Sequence, residues 1–393
     1  MINRRALALG ATRNVIMELA DYGRQRAAVI GKENVFDFSI GNPSVPAPAQ
    51  VNEMILDIVK NTDSLAIHSY TSMTGDPWAR EAIARNLNER FCTDADKDDL
   101  FLGCGAAPEL VAVIKALACP NAEFLCFAPY FPEYKPYVEE TGSLFRVVPA
   151  DIPNFQIDFT VLEPMINQNT TAVIVNNPNN PAGTVYSAET IQRLADLLTR
   201  KSAEYGHTIY ILADEPYREL AYDGVKTPFI PNIYPHTVVC YSYSKSLSLP
   251  GERMGYVYVP KQAADNRELY SAIVGAARVS GHVCAPSLMQ QMITRCAHLQ
   301  PDLTVYNQNR QTLMDALLEY GYEMAKPEGA FYLFVKAPNG DDQAFYKKAL
   351  EKDLLFVPGS AFGCPGYFRL CYCVSHDTII RSLPLFKELF EEV

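Results

Sequence analysis

The middle of the chain alternates short apolar runs, rich in β-branched residues, with longer amphipathic stretches. Each run stops at polar or turn-forming residues. The runs cover residues 124–127, 172–175, 208–212, 237–241 and 254–259. Continuously apolar strands are typical of a mostly parallel sheet that helices cover on both faces. The sequence therefore predicts an α/β fold, with functional residues expected at the carboxyl ends of the strands.

Two of the intervening stretches carry helical signals. Apolar residues at positions 191, 194, 195 and 198 follow the i, i+3, i+4, i+7 spacing of one helix face. They predict a helix over Ala188–Tyr205 with Ser187 as its N-cap. A second helix is predicted to begin at Pro108, because proline is favoured at the first helical position.

The pattern changes after about residue 285, to a long helical stretch followed by strand-like runs at residues 330–335 and 367–372. This change predicts a second, smaller α+β domain. We therefore assign residues 48–285 to a large domain. Residues 1–47 and 286–393 are assigned to an N-terminal arm and the small C-terminal domain.

Charge and cysteine distribution exclude several classes of function. With 34 Lys and Arg against 45 Asp and Glu, the net charge is −11, which disfavours binding to nucleic acid or to an anionic membrane. The 10 cysteines contain no C-x-x-C pair and the 6 histidines no H-E-x-x-H spacing. We therefore predict reduced thiols in a cytoplasmic protein and no metal site.

The N-terminus resembles an export signal only superficially. Arg4 and Arg5 precede an apolar run that ends at Ala11, which is too short for the apolar region of such a signal. We predict an arm or helix over residues 1–13 instead. No apolar stretch approaches the ~18 residues of a membrane-spanning helix, so no membrane partner is predicted.

Polar and charged side chains follow three of the predicted strands at the point where each strand ends. The segments are 176–183, 214–217 and 242–245, and Arg253 follows eight residues after the last of them. Because the carboxyl ends of parallel strands meet at one edge of a sheet, we expect these side chains to share a crevice. Together they supply amide, carboxylate, phenol, hydroxyl, ammonium and guanidinium groups, a set too polar to be packing.

Two of these residues have chemically specific interpretations. If Lys245 is held in a crevice beside Arg253, its ammonium group would lose proton affinity and become an amine able to form a Schiff base. Considered without its neighbours, the same residue is explained by a position on the surface. Asp214 ends an apolar strand and needs a cationic partner. That partner could be a pyridinium nitrogen, although an N-cap or a structural ion pair would also explain the residue.

A phosphate site is indicated by hydroxyl donors and a guanidinium, which Ser242, Ser244 and Arg253 would supply. The glycine-containing segment 103–108 precedes a predicted helix, whose free backbone N–H groups would add to an anion site. As a nicotinamide-binding fingerprint the segment is weak, because Pro108 occupies the place of the third glycine.

Three motifs in this order resemble those of the fold type I, pyridoxal-phosphate-dependent aminotransferases of class I/II, which include aspartate aminotransferase. Residues 177–183 resemble N-P-x-N-P-T-G, residues 214–217 resemble D-E-x-Y, and residues 242–256 resemble S-x-S-K-x-x-x-x-x-G-x-R-x-G-Y. The resemblance covers nearly the whole chain. It implies pyridoxal 5'-phosphate as cofactor, an L-amino acid and a 2-oxo acid as substrates, and a homodimer with shared active sites.

The resemblance also implies roles for individual residues. Lys245 would hold the cofactor as a Schiff base and move the substrate α-proton, Asp214 would pair with the ring nitrogen, and Tyr217 would contact the ring oxygen. The phosphate would be bound by Ala106, Ala107, Ser242, Ser244 and Arg253, and the phosphate of the neighbouring subunit's cofactor by Tyr70. Tyr130 would stack on the cofactor ring, and Asn180 would contact both the ring oxygen and the substrate. Gly41 would also contact the substrate, and Arg369 would bind the substrate's α-carboxylate.

Several alternatives remain open on the sequence. A carbon–sulfur β-lyase would use the same cofactor residues, since the reaction depends on details of the pocket. A non-catalytic ligand sensor and a nicotinamide oxidoreductase are further alternatives. The amino donor is also open: Ala182 stands where the family often has threonine, and Arg278 is the candidate for binding a second substrate carboxylate.

Overall fold

The computed structural model describes residues 1–11 and 15–392. Its helices are α1 (Arg4–Ala11), α2 (Val15–Ile30), α3 (Ala49–Asn61), α4 (Ser64–His68), α5 (Pro77–Phe91), α6 (Ala106–Leu117), α7 (Tyr134–Glu139), α8 (Phe159–Met165), α9 (Ala188–Tyr205), α10 (Tyr243–Ser246), α11 (Asn266–Val279), α12 (Ser287–Cys296), α13 (Thr304–Glu319), α14 (Asp342–Glu351) and α15 (His376–Glu391). Its strands are β1 (Phe36–Asp37), β2 (Leu100–Gly103), β3 (Glu123–Phe127), β4 (Leu144–Val148), β5 (Thr170–Asn176), β6 (Tyr210–Asp214), β7 (Thr237–Ser242), β8 (Gly255–Tyr258), β9 (Tyr332–Lys336), β10 (Leu354–Leu355), β11 (Val357–Pro358) and β12 (Tyr367–Cys371).

A seven-stranded sheet with the order β2-β8-β7-β6-β5-β3-β4 forms the centre of the larger part of the molecule. Strand β8 runs antiparallel to both of its neighbours, and the pairs among β7, β6, β5, β3 and β4 are parallel. The predicted mostly parallel sheet is therefore confirmed.

Alternation along the strands sends apolar side chains to both faces of this sheet. Val173, Ile211 and Val239 pack on one face, in the same core as residues of α9. Their chain neighbours Leu212 and Val238 pack on the other face, with residues of α6 and α11. Burying one such side chain contributes about 1.5–3 kcal/mol, so a sheet covered on both sides needs the continuously apolar runs seen in the sequence.

Helix α9 has the predicted bounds, and the Ser187 hydroxyl accepts a hydrogen bond from the Thr190 backbone N–H at 3.1 Å, as an N-cap should. Helix α6 differs from the prediction, because it begins at Ala106 and not at Pro108. Gly105 has φ +94°, and the chain turns there directly from the loop into the helix. Pro108 then lies within the first turn, where no intrahelical N–H bond is required.

A smaller antiparallel sheet with the order β11-β12-β9 follows near the C-terminus. Strands β9 and β12 correspond to the two strand-like runs of the sequence, which confirms the smaller α+β part. Strand β1 pairs in parallel with β10 and ties the N-terminal segment to this part. Helix α12 contributes Met289 and Ile293 to a core shared with the seven-stranded sheet. The predicted domain boundaries at residues 47/48 and 285/286 stay predictions.

Of the predicted arm or helix over residues 1–13, Arg4–Ala11 is helical. Thr12 and Arg13 lie outside the described residues. In the part of the chain that the structure describes, no helix combines the length and the apolar character needed to cross a membrane.

Candidate active site

A cavity of about 320 Å³ opens at the carboxyl ends of β5, β6 and β7. Asn176, Asp214 and Ser242, the last residues of these three strands, all line it. The start of α6, the short helix α10 and residues of the smaller sheet complete its wall. The predicted site residues that the structure brings together here are Gly41, Ala106, Ala107, Asn180, Asp214, Tyr217, Ser242, Ser244, Lys245, Arg253 and Arg369.

Tyr130 is not brought to this cavity. Its ring packs edge-to-face on Phe145, with ring centroids 5.3 Å apart, and it occupies the space next to Gly363. The next residue, Phe131, lines the cavity instead. The structure therefore does not bring Tyr130 together with the other predicted cofactor contacts.

Tyr70 also lies outside the cavity of its own protomer. It follows α4 and exposes 87% of its surface. The residue therefore does not contribute to the site of its own chain, and its contact with a neighbouring subunit stays a prediction.

Lys245 reaches the centre of the cavity from α10. Its Nζ donates a hydrogen bond of 2.6 Å to the backbone carbonyl of Gly41. Burial lowers the pKa of the Lys245 ammonium, and the nearby Arg253 and Arg369 lower it further. The thiols of Cys371 and Cys373 act on this pKa in the opposite direction. The result is an amine that gives up its proton more readily than an exposed lysine does.

Asp214, at the end of β6, has a fully enclosed carboxyl group. The Tyr134 hydroxyl donates to its Oδ2 at 2.5 Å, and the Asn176 side-chain amide donates to the same oxygen at 3.3 Å. Burial raises the pKa of this carboxyl group to about 7, although the bond from Tyr134 acts to lower it. Neither partner is a cation, so the carboxylate is suited to a cationic group entering the cavity.

Tyr217 lies three residues after Asp214 and projects into the same cavity. Its hydroxyl is hydrogen-bonded to the hydroxyl of Tyr332 at 2.8 Å, which links the two parts of the molecule. Burial raises the pKa of both phenols, so both stay protonated at neutral pH. A side chain at position 41 would collide with the Tyr332 hydroxyl, which explains the glycine there.

The start of α6 and the residues after β7 form a cradle for an anion. Ala106 and Ala107 belong to the first turn of α6, whose N–H groups have no partners within the helix. The Ser242 and Ser244 hydroxyls are 2.7 Å apart at the same wall. A Cβ at position 105 would lie 2.7 Å from Nη2 of Arg253, so Gly105 leaves the space that this guanidinium needs.

Arg369 is buried at the opposite wall, on β12. Its Nη1 donates to the side-chain oxygen of Asn180 at 2.9 Å and its Nη2 to the carbonyl of Ser39 at 2.5 Å. Its Nε is buried and has no hydrogen-bond partner among the described residues. Arg369 is thus held from two directions with donor capacity left for a planar anion.

These groups fit pyridoxal phosphate. A phosphate would be held by the helix N-terminus, the two serines and Arg253, and a protonated ring nitrogen would supply the cation that Asp214 lacks. Residues to which sequence reasoning assigned no role complete this arrangement: Phe131, Tyr134 and Tyr332. Asn176 belongs to the segment 176–183 that is expected in the crevice, because it is polar and ends an apolar strand. Arg278 is exposed in the last turn of α11 and does not line the cavity.

The comparisons with known proteins agree with this site. Residues 33–383 match the family described as aminotransferase class I and II. The chain is similar to a crystal structure of an amino transferase from Eubacterium rectale, with 51% identity, coverage of 100% of this chain and 99% of that chain, and a TM-score of 0.97.

Curated relatives extend this similarity to enzymes with named substrates. The chain is 27% identical over 391 residues to an aspartate aminotransferase of Thermotoga maritima, covering 98% of this chain and 97% of the relative. It is 26% identical over 375 residues to aromatic-amino-acid aminotransferase 2 of Thermococcus litoralis, covering 92% and 93%. The predicted resemblance to fold type I enzymes is confirmed, and the chain belongs to the class I and II aminotransferase family.

Proposed function

We propose that this protein catalyses pyridoxal-phosphate-dependent transfer of the amino group of an L-amino acid to a 2-oxo acid. One observation carries the proposal: a partly buried lysine amine, an anion cradle, a buried carboxylate without a cation and a buried arginine with spare donors line a single cavity. The first three would hold and activate the cofactor, and the fourth would hold the substrate.

The cofactor would be held at both ends by residues of this chain. Ala106, Ala107, Ser244 and Arg253 would bind its phosphate, with Ser242 supporting Ser244. Asp214 would keep its ring nitrogen protonated, and Tyr217 and Asn180 would bind its ring oxygen, with Phe131 against the ring face. When bound, pyridoxal phosphate supplies an electron sink that stabilises negative charge at the substrate α-carbon.

Lys245 is the residue that would move the proton. Its lowered pKa gives a larger fraction of neutral amine, which is the form able to attack a carbonyl carbon and later to accept a proton. The carbonyl of Gly41 receives the hydrogen bond of Nζ at 2.6 Å and fixes its position. The α-proton of the substrate would pass to Nζ and be returned from there.

Arg369 would fix the substrate by its α-carboxylate. The guanidinium can give two parallel N–H bonds to a carboxylate, which an ammonium group cannot do. Asn180 and the Ser39 carbonyl hold Arg369 in place before substrate arrives, so little side-chain freedom is lost on binding.

The substrate side chain would meet a largely apolar wall that includes Ile16 and Pro250. Among the described residues of this protomer, the cations lining the cavity are Lys245, Arg253 and Arg369, and each already has a role. A second substrate carboxylate would thus depend on a cation from elsewhere. We therefore include aspartate and phenylalanine in the test below.

We further propose a cytoplasmic homodimer in which each protomer completes the site of its partner. The highly exposed Tyr70 and its distance from the cavity of its own chain support this arrangement. The phenol of Tyr70 would add one donor to the phosphate of the partner's cofactor.

The test is the visible absorbance spectrum of the purified protein with pyridoxal phosphate, before and after single L-amino acids, aspartate and phenylalanine among them, are added without an acceptor. We expect a visible band that bleaches with the amino acids that serve as donors and returns when a 2-oxo acid is added. In Lys245→Ala the protein-linked band should be absent and turnover should fall by a factor of about 10² to 10⁴ or more.

Lys336→Ala is the matched control, since this lysine lies on the surface and pairs with Glu323. Its spectrum and turnover should equal those of the unchanged protein. Pyruvate and ammonia accumulating from a cysteine conjugate while the band persists would select the carbon–sulfur lyase. The absence of any band, or near-normal transamination by Lys245→Ala, would contradict the proposed function.

A further inference from the structure

Glu109 is a buried acid directly behind the anion cradle, and the proposed mechanism does not use it. It lies in the first turn of α6 and exposes 1% of its surface. Both of its carboxyl oxygens are buried without a hydrogen-bond partner among the described residues. An uncompensated buried carboxylate is costly, so its presence needs an explanation.

Two glycines provide the space that this carboxyl group occupies. A Cβ at Gly103 would lie 2.7 Å from Oε1 of Glu109, and a Cβ at Gly255 would lie 2.6 Å from the same atom. The Cβ at Gly255 would also lie 2.9 Å from Cα of Gly105, the residue beside which the Arg253 guanidinium lies. The carboxyl group and the guanidinium are therefore both next to Gly105.

Glu109 therefore lies in the same positive electrostatic potential that would attract the phosphate. That field comes from the N-terminus of α6 and from Arg253. Three other groups that can carry a negative charge interact electrostatically with Glu109: Asp214 at the end of β6, Cys240 on β7 and Cys104 in the loop before α6. Burial raises the pKa of the Glu109 carboxyl well above its ordinary value and Asp214 raises it further, whereas Arg253 and the nearby backbone N–H of Gly105 lower it.

We propose that Glu109 couples phosphate binding to proton uptake: it is neutral when a phosphate occupies the cradle, and its ionised form opposes the binding of that phosphate. This deepens the proposed function, on which it rests for the place of the phosphate. A phosphate dianion bound in the cradle would repel a carboxylate that is buried beside it, and protonation of Glu109 removes this repulsion. The affinity for phosphate-bearing ligands should then fall as the pH rises above the pKa of Glu109 in the cofactor-free protein.

The experiment measures the Kd of pyridoxal phosphate for the cofactor-free protein across a range of pH, in the unchanged chain and in Glu109→Gln. Both proteins contain Lys245 and bind the same ligand. The ionisation of Lys245 and of the ligand therefore changes both Kd values equally and cancels in their ratio. We expect the Kd of the unchanged chain to rise relative to that of Glu109→Gln by up to about tenfold per pH unit. Pyridoxal, which has no phosphate, should give a ratio that does not change with pH.

Glu123→Gln is the matched control, because Glu123 is also buried but lies at the first position of β3, outside the lining of the cavity, where it pairs with Arg146 at 3.1 Å. Its Kd should follow that of the unchanged chain at every pH. A constant ratio for Glu109→Gln with normal binding would overturn the role of Glu109 and leave the proposed function intact. Failure of the unchanged protein to bind pyridoxal phosphate would overturn both.

A second measurement needs no variant and covers the case in which Glu109→Gln does not fold. Calorimetric titrations in two buffers of different ionisation enthalpy give the number of protons taken up on binding. Across the same range of pH, we expect the unchanged protein to take up more protons with pyridoxal phosphate than with pyridoxal, by up to about one per site. Equal uptake for the two ligands at every pH would overturn the proposal.

Discussion

The carboxyl group of Asp214 is held without a cation, and this has a cost that can be measured in the cofactor-free protein. Its pKa is about 7 in the folded chain against 3.8 for the ordinary group. The folded state therefore prefers the protonated form of this group. Its contribution to the free energy of unfolding is fully present below the ordinary pKa of 3.8 and is lost as the pH rises through about 7. The difference corresponds to about 4 kcal/mol at most.

We predict that the free energy of unfolding of cofactor-free Asp214→Asn falls less between about pH 4 and about pH 8 than that of the unchanged chain. Asparagine is neutral at both pH values and carries no such penalty. Urea unfolding at the two pH values measures the difference. Asp315→Asn, at an exposed position of α13, should behave like the unchanged protein. An equal fall for Asp214→Asn would mean that the buried carboxyl group is compensated in the folded chain.

Arg369 gives a second prediction for a single residue. In Arg369→Lys the ammonium can no longer satisfy Asn180, Ser39 and a substrate carboxylate together, so the KM for amino acids should rise by about 10- to 100-fold. The kcat at saturating substrate should change much less. Steady-state kinetics separates the two quantities, with Arg381→Lys on the surface of α15 as the control. An unchanged KM would remove the carboxylate-binding role of Arg369.

At the scale of one element, the start of α6 depends on Gly105. Alanine there would meet both a φ of +94° and the nearby Arg253 guanidinium. We predict that Gly105→Ala weakens pyridoxal phosphate binding by about tenfold or more, because the guanidinium must shift. An absorbance titration with the cofactor measures this change.

Gly206→Ala is the control for backbone strain alone. Gly206 has φ +74° at the end of α9, and its added Cβ would meet no atom within 4 Å. Both variants should lose about 1–2 kcal/mol of stability from the unfavourable φ, but only Gly105→Ala should lose affinity for the cofactor. A similar loss of affinity in both would show that general destabilisation is the cause.

Elements also differ in how far the sequence alone could predict them. Helix α9 was predictable because its apolar spacing and its Ser187 cap are local signals. The start of α6 was not, since proline is acceptable throughout the first turn and the decisive feature is the backbone conformation of Gly105.

The same distinction applies to the site. Asp214 and Ser242 could be predicted, because a polar residue at the end of an apolar strand is conspicuous. Tyr332 and Tyr134 look like core aromatics and reach the site only through tertiary packing. Glu109 looks like an ordinary acid in the first turn of a helix, and nothing local reveals that two glycines leave room for it on the inside.

For the whole molecule, the proposed shared sites predict complementation between two variants that are defective in different subunits' contributions to the site. Lys245→Ala lacks the amine in its own site, whereas Tyr70→Ala would impair the site of its partner. A hybrid dimer of the two variants has one site with both defects and one intact site. After subunit exchange in an equal mixture, about a quarter of the sites should be intact.

Turnover of the mixture, compared with that of each variant alone, measures the effect. Sedimentation should show a dimer in every sample. Activity that does not rise above the sum of the two separate variants, although hybrids form, would mean that Tyr70 does not serve a neighbouring site.

The hydrogen bond from Arg369 to the Ser39 carbonyl joins residues 330 positions apart in the chain. Lys245 lies between them in the sequence and donates a hydrogen bond to the carbonyl of Gly41. The substrate end of the cavity is therefore built from residues near the beginning, in the middle and near the end of the chain. During synthesis, a ribosome must therefore release nearly the whole polypeptide before this end of the cavity can close. A nascent chain that ends before Arg369 already contains the seven-stranded sheet and its anion cradle, but it lacks the arginine that would bind an amino acid. Cofactor capture could thus precede substrate competence in the life of each molecule.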